Sequence, residues 1–169
     1  MTDEKKPLLA VRDLKVYYPI KVRSRGIFSQ KKLVRAVDGI SFDVYEGETL
    51  GIVGESGCGK STTGKTIVRL NRPTAGSVTY DGMDLFSCPP QAQARISREI
   101  QIVFQDPYSS LDPRFTVGRS IAEPLVVHKA GAPAERRARV VELMRAVGLR
   151  EDVYDRYPHE FSGGQRQRV

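Results

Sequence analysis

One eight-residue segment constrains the fold more than any other part of the chain: Gly54-Glu55-Ser56-Gly57-Cys58-Gly59-Lys60-Ser61. It fits the pattern G-x-x-x-x-G-K-[ST], and it stands between a short apolar run at 49–53 and a helix-like stretch at 60–70. A loop of this kind directs backbone N–H groups and a helix N-terminus toward an anion. The succession of strand, loop and helix predicts an α/β protein with a phosphate-binding loop.

The residue types in this loop suit a nucleoside triphosphate with a magnesium ion. Glycines let the backbone curl, the ammonium of Lys60 can reach the β- and γ-phosphates, and the hydroxyl of Ser61 can ligate Mg²⁺. Thr62 is placed for a contact with the α-phosphate. The residues predicted to hold the nucleotide are Gly54, Glu55, Ser56, Gly57, Cys58, Gly59, Lys60, Ser61 and Thr62. The loop alone does not separate kinases, GTPases, helicases and transport ATPases.

A second glycine-containing motif, Ser162-Gly163-Gly164-Gln165, lies close to the last residue, Val169. Ser162 suits a helix N-cap, and the two glycines leave backbone N–H groups free to meet an anion. Alone, the motif could be only a capped turn. About one hundred residues after a phosphate loop, with Gln105 between them, it is a much more specific pattern.

Composition and charge narrow the function classes. The chain has 169 residues, of which 40% are hydrophobic and 28% charged, as in an ordinary globular protein. It contains no apolar run of membrane-spanning length and no apolar region of a signal peptide, so an intracellular location is expected. The net charge of +7 is compatible with nucleic-acid binding. A solvated surface that favours an anionic nucleotide and an anionic membrane face is the preferred interpretation, because zinc-finger spacing and RNA-binding aromatics are absent.

Periodicity and turn residues predict the elements. Strands are expected at 8–18, 33–37, 41–45, 49–53, 77–80 and 100–105. Pro19 is expected to end the first strand, and a basic surface loop should follow it at 21–35. Helices are expected at 60–70, 91–98 and 133–147, with a loop containing short helices at 106–124. Core packing is expected for the apolar stripe of the last helix, formed by Val140, Leu143, Met144 and Val147.

Taken together, the order and wording of these motifs resemble the ATP-binding subunits of ABC transporters. The resemblance extends from Leu9 to Val169, and in wording it is closest to the oligopeptide/dipeptide permease subfamily. The phrases that carry it lie at 33–42, 101–111 and 157–165. The first position of the second motif is Phe161 where the broader family usually has Leu, a difference that the subfamily accommodates.

This resemblance implies a role for individual residues, with ATP and Mg²⁺ as cofactors. Tyr18 would stack on adenine, with Tyr17 as the neighbouring alternative. Gln105 would approach Mg²⁺ and the attacking water, so that the magnesium ligands in this chain would be Ser61 and Gln105. The second motif, the signature, would act in trans on the γ-phosphate bound by a partner subunit. The signature residues are Ser162, Gly163, Gly164 and Gln165.

The resemblance also implies an architecture and a set of partners. The expected fold is an α/β P-loop NTPase with an N-terminal antiparallel β-subdomain, a helical subdomain and a central sheet that is incomplete here. Residues 1–105 would form the β-subdomain and the phosphate-loop part of the core, and residues 106–169 the glutamine-loop connection and helical subdomain. The expected partners are a second, identical or homologous ATPase subunit, integral-membrane permease subunits and, indirectly, a solute-binding protein. Nucleic acid is not expected, and the location would be the cytoplasmic face of the cell membrane.

In the family an Asp ligand of Mg²⁺, a catalytic Glu and a γ-phosphate-sensing His follow the signature. None follows it here, and His128 and His159 both precede it. We therefore expect the 169 residues to be a fragment that is unstable or prone to aggregate and does not hydrolyse ATP alone. Its apolar run at 49–53 would lack strand neighbours. An inactive truncated remnant is an alternative to an incomplete sequence.

Two other classes remain as alternatives. ABC-fold ATPases of DNA repair and chromosome maintenance share these motifs, but they usually carry long insertions between them, whereas the spacing here is compact. Kinases and GTPases lack the signature, and this chain has no N-K-x-D guanine-recognition motif. Within the transporter interpretation the substrate stays open between peptides, nickel and other small solutes, and the partner ATPase between an identical subunit and a paralogue.

Overall fold

The structure, a computed structural model, describes residues 5–23, 29–106 and 110–169. The chain forms two compact units, Met1–Ile102 and Val103–Val169. The first contains a β-sheet, the phosphate loop and two helices, and the second contains further helices and the signature. The predicted division of the chain after residue 105, into a nucleotide-binding part and a helical part, stays a prediction.

The first unit is built around an antiparallel sheet. Its strands are β1 (Leu9–Arg23), β2 (Ser29–Val44), β3 (Ala75–Tyr80) and β4 (Met83–Asp84), in the order β2-β1-β3-β4. The mixed α/β fold with an antiparallel β-part is therefore confirmed. The two strands predicted at 33–37 and 41–45 are wrong as separate elements, because β2 runs through both and bends at irregularities in its pairing with β1. The core of this unit is formed by Val11, Leu14, Val16, Val37, Val78, Leu85, Cys88 and Ile96.

Pro19 does not end β1, contrary to the sequence prediction. It pairs with Leu33 of β2, and the strand continues to Arg23. β1 pairs with β3 only as far as Lys15, so at Pro19 one side of the strand is an edge. A proline is tolerated there because its missing N–H removes no ladder hydrogen bond. The predicted basic loop at 21–35 is correspondingly shorter, and its residues 24–28 lie outside the described part of the chain.

The predicted strands at 49–53 and 100–105 are also wrong in this structure, since neither segment is part of a ladder. A strand exists only through its pairing, and no partner strand adjoins either segment among the described residues. Their apolar side chains are accordingly exposed. Val53 is 92% exposed and Val103 is 95% exposed, where a buried parallel sheet would cover both. The central sheet is thus incomplete, as expected.

Five helices lie wholly within the described ranges, and three of them match predicted helices with shifted ends. They are α1 (Lys60–Ile67), α2 (Pro90–Glu99), α3 (Val117–Val127), α4 (Pro133–Ala146) and the short α5 (Gly163–Arg166), with 3₁₀ turns at Glu151–Val153 and Pro158–Glu160. The loop predicted at 106–124 is wrong from Val117 onward, because Thr116 caps a full helix that tolerates Pro124 in its interior. No helix in the described ranges is long and apolar enough to cross a bilayer.

The apolar stripe of α4 is only half correct as a prediction of the core. Val140 and Met144 are fully buried, but Leu143 is 38% exposed and Val147 is 45% exposed. Val141 is buried instead. The buried face is therefore rotated toward Val141, because tertiary neighbours rather than spacing decide which edge of the stripe is covered.

Helix α3 makes one contact that admits no side chain at Gly118. A Cβ placed there would lie 2.4 to 2.5 Å from ring atoms of Tyr154. We expect Gly118→Ala to destabilise the protein by about 1–3 kcal/mol, because the ring would have to move. Gly64→Ala in α1 is the matched control: a Cβ there meets no atom within 4 Å, so the helix should gain about 0.5–1 kcal/mol. Urea unfolding followed by circular dichroism measures both changes, and a stabilising Gly118→Ala would contradict the contact.

Candidate nucleotide-binding site

The phosphate loop takes the curled backbone that its glycines predict. Gly57 has φ +84° and Gly59 has φ +100°, values in the left-handed region that residues with a Cβ rarely adopt. The loop residues 51–58 are exposed, and α1 begins directly after Gly59. The loop is thus an open turn at the N-terminus of a helix.

Gly59 also allows this loop to pack closely against strand β2. A Cβ at Gly59 would lie 2.3 Å from the carbonyl oxygen of Ala36 and 3.3 Å from Cγ2 of Val37. Since real Cβ atoms do not approach a backbone oxygen so closely, only glycine fits at this position. The sequence predicted the glycine from the motif, but the contact with β2 has no signature in the sequence.

The N-terminus of α1 is suited to an anion. Its N-cap is Gly59, which offers no side-chain cap, and its first turn contains no acidic residue. The first helical hydrogen bond is donated by the N–H of Thr63 to the carbonyl of Gly59 at 2.8 Å. The preceding N–H groups at the helix end, those of Lys60, Ser61 and Thr62, have no intrahelical acceptor. Together with the helix dipole they favour a negative group, so this end of the helix fits a phosphate.

The ammonium of Lys60 is folded onto the loop. Its Nζ donates to the carbonyl oxygens of Gly54 and Glu55, both at 2.7 Å, and lies 3.5 Å from Sγ of Cys58. Its positive charge is therefore held at the concave side of the turn. Phosphate oxygens make stronger, charge-assisted hydrogen bonds to an ammonium than neutral carbonyls do, so an anion can compete for this group.

The magnesium prediction rests on Ser61 and Gln105. Ser61 is exposed on the first turn of α1 and offers a hydroxyl oxygen, a ligand type that Mg²⁺ accepts. Gln105 is also exposed, but it belongs to the unit Val103–Val169. Within the described ranges no group of three or more His, Cys, Asp or Glu side chains could hold a metal. Both magnesium ligands stay predictions.

Tyr18, predicted to stack on adenine, lies on β1 opposite Val34 and is 39% exposed. It follows the buried Val16 by two residues, so both side chains belong to the core face of β1. Val16 in turn pairs with Val37, the residue that touches Gly59. Strand β2 therefore lies between the phosphate loop, which it contacts, and the strand that carries Tyr18, with which it pairs. The stacking role stays a prediction.

Tyr17, the alternative stacking residue, is engaged in a cluster of side chains. Its hydroxyl donates to the carboxylate of Asp38, and the guanidinium of Arg35 lies 5.6 Å from its ring centroid. Arg35 also donates to Asp38 at 3.2 Å. The hydrogen bond from Tyr17 is the main reason that the pKa of Asp38 is lowered, and the same bond raises the pKa of Tyr17. The cluster is thus intact at neutral pH. It would weaken as Tyr17 deprotonates at high pH or Asp38 becomes protonated at low pH.

The signature forms a capped helix start in the second unit. The Oγ of Ser162 accepts from the N–H of Gln165 at 3.3 Å, and the N–H of Ser162 donates to Oε1 of Gln165 at 2.9 Å. This reciprocal pair is a capping box, and it occupies the Ser162 hydroxyl in the structure. Gly163 and Gly164 begin α5, and a Cβ at Gly164 would meet nothing within 4 Å. Their role in trans stays a prediction.

Residues 37–169 match the family described as ABC transporter. The chain belongs to the ABC transporter family. Its resemblance to dipeptide and oligopeptide relatives is also confirmed. The chain is 49% identical to the dipeptide transport ATP-binding protein DppF of Escherichia coli (strain K12), over 96% of this chain and 48% of the relative. It is 46% identical to the oligopeptide transport ATP-binding protein OppF of the same strain, over all of this chain and 51% of the relative.

Solved structures of ABC proteins have the same fold. One is the bacterial ABC transporter cassette MJ0796, described as a dimer: it matches with a TM-score of 0.73 and 29% identity, over 95% of this chain and 66% of that chain. A second structure of MJ0796, in a post-hydrolysis state with ADP and Pi, matches equally well. The ABC ATPase fold is therefore confirmed. The chain spans about half the length of the curated relatives that it matches.

Proposed function

We propose that this chain is the ATP-binding part of a subunit that hydrolyses ATP to drive uptake of di- or oligopeptides through a membrane ABC importer. The observation that carries this proposal is the 49% identity to a dipeptide transport ATP-binding protein across 96% of the chain. The geometry of the loop agrees with it. A glycine turn, an uncapped helix N-terminus and the ammonium of Lys60 meet at one place.

The phosphate loop and Tyr18 would hold ATP together. The N–H groups at the start of α1 would bind phosphate oxygens, and Lys60 would leave the loop carbonyls for the β- and γ-phosphates. Ser61 and Gln105 would hold Mg²⁺, which when bound neutralises charge on the phosphates. Tyr18, which lies on the core face of β1, would contact the adenine ring. Support for ADP and phosphate at such a site comes from the MJ0796 cassette, which carries both.

The signature would serve a partner subunit. Ser162 and the two glycines after it would meet the γ-phosphate bound by a second ABC ATPase, identical or homologous to this one, as the dimeric MJ0796 cassette suggests. Nucleotide binding would then favour a closed pair of subunits, and hydrolysis would release it. The further partners would be permease subunits on the inner face of the cell membrane and, indirectly, a solute-binding protein, without nucleic acid.

The 169 residues measured alone are expected to bind ATP without turning it over. The resemblance assigns the Asp ligand of Mg²⁺, the catalytic Glu and the sensing His to positions outside these residues. The activity of the proposed importer therefore needs a test in which these groups are present.

A chimera supplies them. Residues 1–169 replace the aligned part of Escherichia coli DppF in a strain that lacks this protein and depends on an imported dipeptide for one amino acid. We expect the chimera to restore growth on the dipeptide, and the same chimera with Lys60→Met to fail. Growth on the free amino acid controls for viability, and immunoblotting controls for expression. A well-expressed chimera that never supports growth on dipeptides would contradict the peptide-importer proposal.

A further inference from the structure

Strand β2 contains one extra residue at Ala36, where it passes the phosphate loop. Val16 pairs with Val37 and Tyr17 pairs with Arg35, so Ala36 has no partner on β1. This is a β-bulge, a device that redirects a strand and that recurs next to functional sites. The bulge is where the carbonyl of Ala36 lies against Gly59.

The bulge places two charged side chains on one face of β2. Arg35 and Asp38 are three residues apart, and in a regular strand they would point to opposite faces. Here they form an ion pair at 3.2 Å, and Tyr17 joins both. The Tyr17 hydroxyl donates to Asp38, and Arg35 lies over its ring. We call these three residues, Tyr17, Arg35 and Asp38, the Tyr17 clip. The clip connects Tyr17 on β1 to residues of β2 on both sides of the bulge, and it can form only while the bulge is present.

The backbone of Tyr17 is fixed from its other side as well. Its N–H donates to Oγ1 of Thr74 at 2.8 Å, and the N–H of Thr74 donates to the carbonyl of Lys15 at 2.7 Å. The segment of β1 that precedes Tyr18 is therefore held on both sides, by Thr74 on one and by the clip on the other. Successive side chains of a strand alternate between faces, so fixing Tyr17 on the outer face fixes Tyr18 on the inner one.

We propose that the Tyr17 clip is a positioning device for the nucleotide, which holds the Ala36 bulge against Gly59 and thereby sets the placement of Tyr18 relative to the phosphate loop. Tyr17 does not touch the nucleotide in this proposal, and Tyr18 remains the stacking residue. The inference rests on the proposed function, because it requires that one ATP contacts both Tyr18 and the loop. If the clip only stabilised the pairing of β1 with β2, its loss would lower the stability of the fold. It would not weaken binding of the base more than binding of the phosphates.

A fluorescence experiment separates these two roles. The chain contains no tryptophan, so Tyr18→Trp introduces a single reporter at the stacking position. ATP and inorganic tripolyphosphate are titrated separately, since tripolyphosphate occupies the loop but has no base. Tyr17→Phe is then added to the reporter chain. The matched control is Tyr45→Phe, which removes a hydroxyl outside the clip, from the residue directly after the last residue of β2.

Tyr17→Phe is expected to weaken ATP binding by about 3- to 10-fold, the usual effect of one lost hydrogen bond, and to change tripolyphosphate binding by less than twofold. Tyr45→Phe should change neither. Asp38→Asn keeps an oxygen that can accept from Tyr17, so it should lose less ATP affinity than Tyr17→Phe.

If Tyr17→Phe and Tyr45→Phe have the same affinity for ATP, the inference is overturned and the proposed function stands. Equal losses for ATP and tripolyphosphate, with a lower melting temperature, would also overturn it. If the reporter chain binds ATP no more tightly than tripolyphosphate, the proposed contact with adenine is itself contradicted.

Discussion

Gly59→Ala is expected to abolish nucleotide binding and to destabilise the protein by about 2–5 kcal/mol. Two costs combine at this position. The backbone has φ +100°, which strains any residue with a Cβ, and the new methyl would lie 2.3 Å from the carbonyl oxygen of Ala36. Because that oxygen belongs to the backbone of β2, the loop must move away from the strand. We expect the displaced loop to lose its anion-binding geometry.

Gly57→Ala is the control that separates strain from contact. Gly57 has φ +84°, but a Cβ there would meet nothing within 4 Å. Only the backbone strain applies, at about 1–2 kcal/mol. Urea unfolding gives the stability difference between the two variants, and titration with ATP gives the difference in affinity. Equal losses of stability in the two variants would show that the contact between Gly59 and β2 is not important.

Lys60→Met is expected to lower ATP affinity by about 10- to 100-fold, which is the range for losing hydrogen bonds to a charged group. Methionine keeps most of the length of lysine but removes the ammonium. In the structure the ammonium donates to two exposed loop carbonyls, those of Gly54 and Glu55. Water can replace it there, so the melting temperature should change little. Isothermal titration with ATP and with AMP measures the effect.

Two controls make the Lys60 result specific. AMP has no β- or γ-phosphate, so its weaker binding should not depend on Lys60. Lys65→Met removes an exposed lysine from the last turn of the same helix and should leave ATP affinity within twofold. A Lys60→Met chain that binds ATP as tightly as the parent would remove the central assumption of the proposed site.

Much of the site could be predicted from the sequence because its chemistry is local. The loop 54–61 carries its glycines, its lysine and its helix start within eight residues, and the left-handed φ values of Gly57 and Gly59 follow from that pattern. The strand at 77–80 and the tight turn after it were also predictable from alternation and turn residues. Asp81 and Gly82, for example, both take positive φ in the tight turn between β3 and β4.

The errors occur where pairing or burial is not local. The run at 49–53 is apolar and β-branched, yet it is not a strand here, because a strand requires a partner that its own sequence does not contain. On α4 the spacing predicted burial of Leu143 and Val147, but neighbouring elements cover Val141 instead. Pro19 was predicted to end β1, but the strand continues to Arg23, because among the described residues no strand pairs with β1 on the side of the missing N–H.

The sequence by itself determined the family and the phosphate loop, and it predicted the roles of Lys60 and Ser61, since residue identity and short spacing decide what a curled loop before a helix can bind. Only the tertiary structure decided how that loop is positioned. The Ala36 bulge, its contact with Gly59 and the Tyr17 clip join residues of β1 and β2 to the loop after them. Such contacts depend on register and backbone approach, which arise when strands pair, and a single strand's sequence does not encode them.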